Sequence, residues 1–267
     1  MTEEELMLTK ILDCSRTELW AYDRHKNLTD AQKICLEGMK NRRLKGEPLQ
    51  YILEQSNFMD LFFKVDNRVL IPRPETEILV DLILNKIEED LALKAKHRIR
   101  ILDLGTGSGN IAISLAHYIK NACITAVDTS KDALNLAKIN AVQNNVENQI
   151  EFLNIDMFKY LKKHNSFDII VSNPPYIPRN LLNRLPEDVK KEPVLALDGG
   201  DEGIDFYSKI IDLGQNVLNN NGYIFLEIGD DQTSIIKKFF VNTEFSNIEV
   251  KKDYTNTDRI IWAQING

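Results

Sequence analysis

From residue 99 to the C-terminus, short apolar runs alternate with stretches of helical periodicity, and few folds accommodate that rhythm. The apolar runs fall at 99–104, 122–127, 149–154, 167–172, 222–228, 247–253 and 258–265. Helical spacing of apolar residues occupies about 109–120, 131–144, 157–163, 204–219 and 232–240. A helix between two strands carries the chain back to the same end of the sheet, so the strands run parallel and helices cover both faces. The expected fold class is therefore α/β, a doubly wound seven-stranded sheet. The last two runs are joined only by residues 254–257, so they should pair antiparallel. In open sheets of this class a ligand lies beyond the carboxyl ends of the strands, where the strand order reverses.

Ahead of residue 99 the pattern changes. Residues 3–45 are helical in rhythm, with Leu6, Ile11 and Leu12, then Leu19, Trp20 and Tyr22, then Ile34, Leu36 and Met39 at helical spacings. Thr29-Asp30 marks a helix start. Gly46-Glu47-Pro48 interrupts regular structure. Between residues 58 and 71, Phe63, Val65, Val69 and Ile71 alternate with polar residues around Asp66-Asn67, which predicts a β-hairpin turning at that pair. Pro72-Arg73-Pro74 ends it, and Ile78, Leu79, Leu82 and Ile83 begin a further helix. The expected organisation is a small helical N-terminal domain over residues 1–57, a β-hairpin connector over 58–75 and the α/β domain over 76–267.

Charge and cysteine content narrow the functional classes. A net charge of −7 over 267 residues argues against a protein that grips polyphosphate by bulk electrostatics, since nucleic-acid binders carry a basic surface. The basic spot at Lys40, Arg42, Arg43 and Lys45 reads as a solvated helix end. No apolar run approaches the roughly 20 residues needed to span a bilayer. Glu3, Glu4 and Glu5 stand where a secretory leader would carry positive charge. Cys14, Cys35 and Cys123 are odd in number and show no metal-ligand spacing, which points to reduced thiols in a cytoplasm.

The first strand of the α/β domain runs into Asp103-Leu104-Gly105-Thr106-Gly107-Ser108-Gly109 and then directly into a helix. Glycines here permit a sharp turn and close approach of a ligand to the backbone. A dinucleotide fingerprint places its third glycine three positions after the second. Asn110 stands there, and the third glycine comes one residue early. The spacing suits a nucleoside-type ligand without a pyrophosphate, such as S-adenosylmethionine. Asp128 closes the next strand, where a carboxylate can accept from both ribose hydroxyls. After the third strand, Asp156 can accept from an adenine amine and Met157 can cover the ring; a helix N-cap and a core residue are the competing roles.

The fourth strand ends in Ser172-Asn173-Pro174-Pro175-Tyr176. Two prolines cannot continue a central strand, because each lacks the N–H that the ladder needs. The chain must therefore leave the sheet at its carboxyl end. The Asn173 side-chain oxygen and a proline carbonyl can hold both hydrogens of a planar –NH2 group, with Tyr176 packed against the plane.

These segments identify a family. The chain closely resembles the release-factor glutamine methyltransferases, the PrmC/HemK family, over nearly its whole length. The resemblance lies in residues 46–53, 70–77, 103–109, 173–178, Glu192-Pro193, residues 196–200 and Leu226-Glu227-Ile228-Gly229. It implies a Rossmann-like methyltransferase domain and S-adenosyl-L-methionine as cofactor. It also implies methylation of the glutamine in the Gly-Gly-Gln motif of class-1 peptide chain release factors. Gly105, Thr106, Gly107, Ser108, Gly109, Asp128, Met157 and Asn173 would then contact cofactor. Asn173, Pro174, Pro175 and Tyr176 would hold the glutamine and carry the reaction. Arg73, fixed between two prolines, is read either as a contact to the protein partner or as an ion-pair partner of Glu75 or Glu77. Two departures stand out: Glu54 where the family usually has glycine, and Thr255-Asn256-Thr257 where it often has glycine before Arg-Asp-Arg. The competing reading, methylation of a nucleic-acid adenine amine, shares the –NH2 geometry but wants a basic groove.

Overall fold

The computed structural model describes residues 2–21, 27–163 and 166–267; Tyr22, expected on the helical stripe, lies outside them. Among the described residues four helices come first: α1 (Glu3–Leu12), α2 (Arg16–Ala21), α3 (Asp30–Leu44) and α4 (Leu49–Leu53). Thr2 and Thr29 start α1 and α3 with capping boxes, each threonine hydroxyl accepting from the third helical N–H while Glu5 or Gln32 reaches back. Met7, Leu8, Leu19, Leu36 and Ile52 form a core of their own beneath these helices. The basic spot is neutralised by acids, Lys40 against Glu4, Arg42 against Glu47 and Arg43 against Glu3.

Glu54 ends α4 at φ 53°, a left-handed conformation that favours glycine. Asn256 sits at φ 67°, so both departures from the family pattern occupy backbone that glycine would adopt more easily.

The hairpin forms, but its turn is not at Asp66-Asn67. Strands β1 (Ser56–Phe58) and β2 (Leu61–Phe63) pair antiparallel around Met59-Asp60. Both turn residues have positive φ, 49° and 57°, as a primed turn requires. Such turns are normally signalled by Asn-Gly or Asp-Gly. Here distant groups hold the turn instead: Met59 N–H donates to Glu77 at 2.9 Å and the Tyr118 hydroxyl donates to the Met59 carbonyl at 2.8 Å. Asp66-Asn67 forms a second bend, closed by Arg68 donating to the Asp66 carboxylate.

The α/β region is a seven-stranded sheet with helices on both faces. Its strands are β3 (Ile99–Leu104), β4 (Ala122–Asp128), β5 (Ile150–Asn154), β6 (Phe167–Ser172), β7 (Leu218–Glu227), β8 (Phe245–Lys252) and β9 (Asp258–Ile265). Spatial order is β5-β4-β3-β6-β7-β9-β8; only β9 runs against its neighbours. The helices are α5 (Pro74–Glu89), α6 (Leu91–Lys94), α7 (Asn110–Tyr118), α8 (Lys131–Gln143), α9 (Met157–Leu161), α10 (Asp205–Gly214) and α11 (Thr233–Phe239). Side chains alternate between faces along each strand. Ile101, Ile169 and Phe225 face the core shared with α5, α7 and the hairpin, whereas Leu102, Ile170 and Ile224 face α9, α10 and α11.

One boundary shifts. The helix expected over 204–219 stops at Gly214, and residues from Leu218 onward join β7. Leu218 pairs with Phe167, and the Asn219 amide donates to buried Asp168 at 2.7 Å. An irregularity in the pairing follows, with Asn221 at φ 62°. Among the described residues no helix is long and apolar enough to cross a membrane.

Asn140 ties the connector to the sheet. From α8 its amide oxygen accepts from Lys64 N–H at 2.7 Å, and its nitrogen donates to the Lys64 and Ser108 carbonyls at 3.0 and 2.9 Å. Asn140→Ala strips partners from three backbone groups, so we predict a loss of about 2–3 kcal/mol, measured by urea denaturation.

Candidate active site

The chain runs outward from β3 to β4 and β5, then returns to β6 on the other side of β3. Strand order therefore reverses between β3 and β6, and a crevice opens beyond their carboxyl ends. The Ser172 hydroxyl donates to the Leu104 carbonyl at 2.7 Å and locks the two strand ends together.

The glycine loop leaves β3 on one side. Gly105 and Thr106 N–H groups donate to the Val127 carbonyl, and the Thr106 hydroxyl donates to fully buried Asp103 at 2.6 Å. Burial pushes the Asp103 carboxyl up to about 7. Gly105, Gly107 and Gly109 have φ of 74°, 55° and 82°. Their roles differ. A Cβ on Gly107 would project into open space, whereas one on Gly109 would stand 2.8 Å from Ile113 and 3.1 Å from Ala137. Gly107 keeps the loop open toward a ligand, and Gly109 lets α7 and α8 pack.

Asp128 faces this loop from the end of β4. It accepts from Gly107 N–H at 2.9 Å and from Ser130 N–H at 2.8 Å. Burial raises its carboxyl, and those N–H groups oppose the shift. Asp156 caps α9 by accepting from Lys159 N–H at 2.9 Å. Met157 is buried, with its terminal methyl beside Gly105.

The Asn-Pro-Pro-Tyr segment leaves β6 on the other side. Asn173 Nδ2 donates to the Thr76 hydroxyl at 3.1 Å, and that hydroxyl donates to Glu227 at 2.6 Å. Tyr176 is clamped from behind. A Cβ on Gly203 would come within 2.3 Å of its carbonyl oxygen, and one on Gly199 within 2.7 Å of its Cα. Gln232 Nε2 donates to the Tyr176 and Gly203 carbonyls at 3.0 and 3.1 Å. Gly199 and Gly203 thus form a surface on which this loop can lie.

Both halves open into one cavity of about 300 Å³, the size of a small-ligand site. Gly105, Thr106, Gly107, Ser108, Asp128 and Met157 line one half. Arg73, Thr76, Asn173 and Pro175 line the other, and Pro193, Leu195 and Phe206 complete the wall. Gly109 and Pro174 are not on the wall; Gly109 serves helix packing, and Pro174 is buried. Tyr176, half-buried, packs against the core over α10 and α11.

Arg73 is paired with neither Glu75 nor Glu77. Its Nη2 meets Glu192 at 2.6 Å, and Glu192 also accepts from Ile71 N–H at 3.2 Å. Burial raises the Glu192 carboxyl, and Arg73 draws it back down. The residues that residue-level reasoning missed are Thr76, Glu227, Glu192 and Gln232. The first three lie inside the segments that carry the family resemblance, but no periodicity or spacing marks them.

Comparison with known proteins agrees with this geometry. The model of the Methyltransferase small domain matches residues 80–183, and the PrmC N-terminal domain matches residues 2–53. The Release factor glutamine methyltransferase of Clostridium acetobutylicum is 40% identical over 265 residues, spanning 98% of this chain and 90% of that protein. The chain belongs to the release factor glutamine methyltransferase family. The protein of the same name from Lactococcus lactis is 42% identical over 245 residues, 91% of this chain and 86% of its own length. Among solved structures, a Methyltransferase from Pyrococcus furiosus superimposes with a TM-score of 0.55 at 20% identity, covering 86% of this chain and 99% of its own. The hMettl16 catalytic domain, solved with the MAT2A 3'UTR hairpin 6, gives 0.58 at 15% identity over 89% and 82%. Those two likenesses show the fold alone.

The chain is thus a methyltransferase that uses S-adenosylmethionine. The residues fit that cofactor: a glycine loop with open space above Gly107 faces a partly buried carboxylate at the next strand end. We predict that Asp128→Ala weakens S-adenosylmethionine binding by about 2 kcal/mol, roughly thirtyfold in Kd, measured by calorimetry. Wild-type affinity in that variant would remove Asp128 from the site.

Proposed function

We propose that this protein methylates the side-chain amide nitrogen of the glutamine in the Gly-Gly-Gln motif of class-1 peptide chain release factors, in the cytoplasm, and so supports translation termination. The observation that carries the reading is the orientation of Asn173. Its nitrogen is bound to Thr76, which leaves its oxygen to accept from an –NH2 group in the cavity. The second acceptor is assigned to the backbone carbonyl of Pro174, whose ring is buried behind the wall.

Bound S-adenosylmethionine supplies an electrophilic methyl group; the rest is the work of this chain. An amide nitrogen is a weak nucleophile because its lone pair is delocalised into the carbonyl. Two fixed acceptors on its hydrogens turn the nitrogen toward the methyl group and stabilise the positive charge that grows on it, so the rate comes from positioning and preorganised dipoles. Pro174 and Tyr176 are assigned to shaping this loop, with Asn173 and Pro175 at the cavity wall. Arg73 is assigned to the substrate side, steadied by Glu192.

Recognition of the protein partner is assigned to the helical region, residues 1–57. It has a core of its own, and the cavity wall begins only at Arg68. Residues 58–75 then act as connector and residues 76–267 as the methyl-transfer domain. A net charge of −7 favours a protein acceptor over a polyanionic nucleic acid, whose exocyclic amine would present the same –NH2 geometry.

The direct test is to incubate the enzyme with labelled cofactor and an intact release factor, then locate the methyl group by mass spectrometry; methyl on any other residue overturns the reading. Asn173→Ala should slow single-turnover transfer about a hundredfold at saturating cofactor and substrate. Asn173→Asp keeps an oxygen acceptor but cannot donate to Thr76, so its rate should fall between alanine and the parent. A parental rate for Asn173→Ala would make that residue structural only.

A further inference from the structure

The chain of contacts behind Asn173 has a direction. A hydroxyl has one proton, and Thr76 gives it to the Glu227 carboxylate at 2.6 Å, a length typical of a charged acceptor. With that proton engaged, Thr76 can only accept from Asn173. The Asn173 nitrogen must therefore face Thr76 at 3.1 Å; turning the amide over would set two oxygens against each other with no hydrogen between them. The three groups come from separate elements: Thr76 from the first turn of α5, Glu227 from the last position of β7, and Asn173 from the loop after β6. Only the folded sheet brings them together.

Glu227 is an expensive residue to place there. It is fully buried, and its second carboxylate oxygen has no hydrogen-bond partner among the described residues. An apolar residue of similar size would cost the fold less, so stability does not account for it. We propose that Thr76 and Glu227 are positioning residues for methyl transfer, holding the Asn173 amide oxygen toward the acceptor nitrogen through the charge on Glu227. This rests on the reading that Asn173 grips an –NH2 group.

Protonation of Glu227 reverses the chain. A neutral carboxyl group donates to Thr76, the Thr76 proton is freed to face Asn173, and the amide loses its preferred orientation. Burial pushes the Glu227 carboxyl up to about 7, with Thr76 drawing it down. Arg259 on β9 and Arg73 before α5 favour the anion, and Glu75 on α5 opposes it. Tyr207 on α10 donates its hydroxyl to the Glu227 carbonyl, and it and Tyr176 stay neutral well above this range. The anion dominates above its pKa, so the transfer rate should rise with pH through about 7.

The test is single-turnover transfer to an intact release factor at saturating cofactor, followed from about pH 6 to 8. Parent, Thr76→Val, Thr76→Ser and Glu227→Gln are compared, with cofactor affinity measured beside each. Thr76→Val should slow transfer about ten- to a hundredfold, leave cofactor Kd within about twofold, and flatten the pH profile. Thr76→Ser keeps the hydroxyl and should restore the rate to within about threefold of the parent. Glu227→Gln should lose the pH step even if its rate falls. The inference is overturned if Thr76→Val matches the parent, if serine and valine are equally slow, or if the pH step persists in Glu227→Gln. Should the parent methylate a different amine and not glutamine, the reading of the substrate fails instead, and the same variants are compared on that acceptor.

Discussion

The reversal of strand order between β3 and β6 is the constraint on which the rest of this molecule depends. Two adjacent parallel strands whose chains depart in opposite directions leave a crevice at their carboxyl ends. The Ser172–Leu104 hydrogen bond holds that crevice at fixed width. One wall is the glycine loop, which must turn sharply because the chain passes at once from β3 into α7. The other is Asn173-Pro174-Pro175, which must leave the sheet because proline cannot extend the ladder. The cofactor and acceptor halves of the cavity are therefore neighbours by topology rather than by any direct bond between the two loops.

Support for the acceptor half comes from far along the chain. Glycines at 199, 203 and 229 lie where a side chain would collide with Tyr176 or with Gln232. Ile177 pairs with Asp198 in a short bridge, so the loop after β6 is backed by a second extended segment. Arg73 and Glu192 perform a similar service at the rim, joining the entry of α5 to the loop region. These contacts are short and mostly buried, which fits the holding role proposed for this surface.

The hairpin shares a hydrophobic core with the sheet. Phe58, Phe63, Val65, Val69 and Ile71 pack in one core with α5 and α7, and Asn140 binds both backbone groups of Lys64. Tyr51 in the middle of α4 joins that core through its ring, and its hydroxyl donates to the Val69 carbonyl at 2.6 Å. Its neighbour Ile52 faces the helical core instead. A five-residue helix thus bridges two hydrophobic cores, so the helical region should keep a defined bearing on the cavity.

Much of this was present in the sequence. Apolar periodicity specified seven strands and their alternation with helices, because the burial of each side chain depends on a local repeat. The helix start at Thr29, the glycine loop with Asp128, and the exit of the chain at Asn173 were legible for the same reason: each is a local conformational demand met by a particular residue type. The turn at Met59-Asp60 was not, since methionine does not favour positive φ, no glycine follows, and the turn is held by Glu77 and Tyr118. The extension of β7 back to Leu218 depended on pairing with Phe167 and Asp168, not on any local signal. The partner of Arg73 was misplaced because the nearest acids in sequence were not the nearest in space. What only the tertiary structure decided is which way Asn173 faces. An amide has no preference of its own between oxygen and nitrogen, and its orientation is set by a hydroxyl 97 residues away and a carboxylate beyond it.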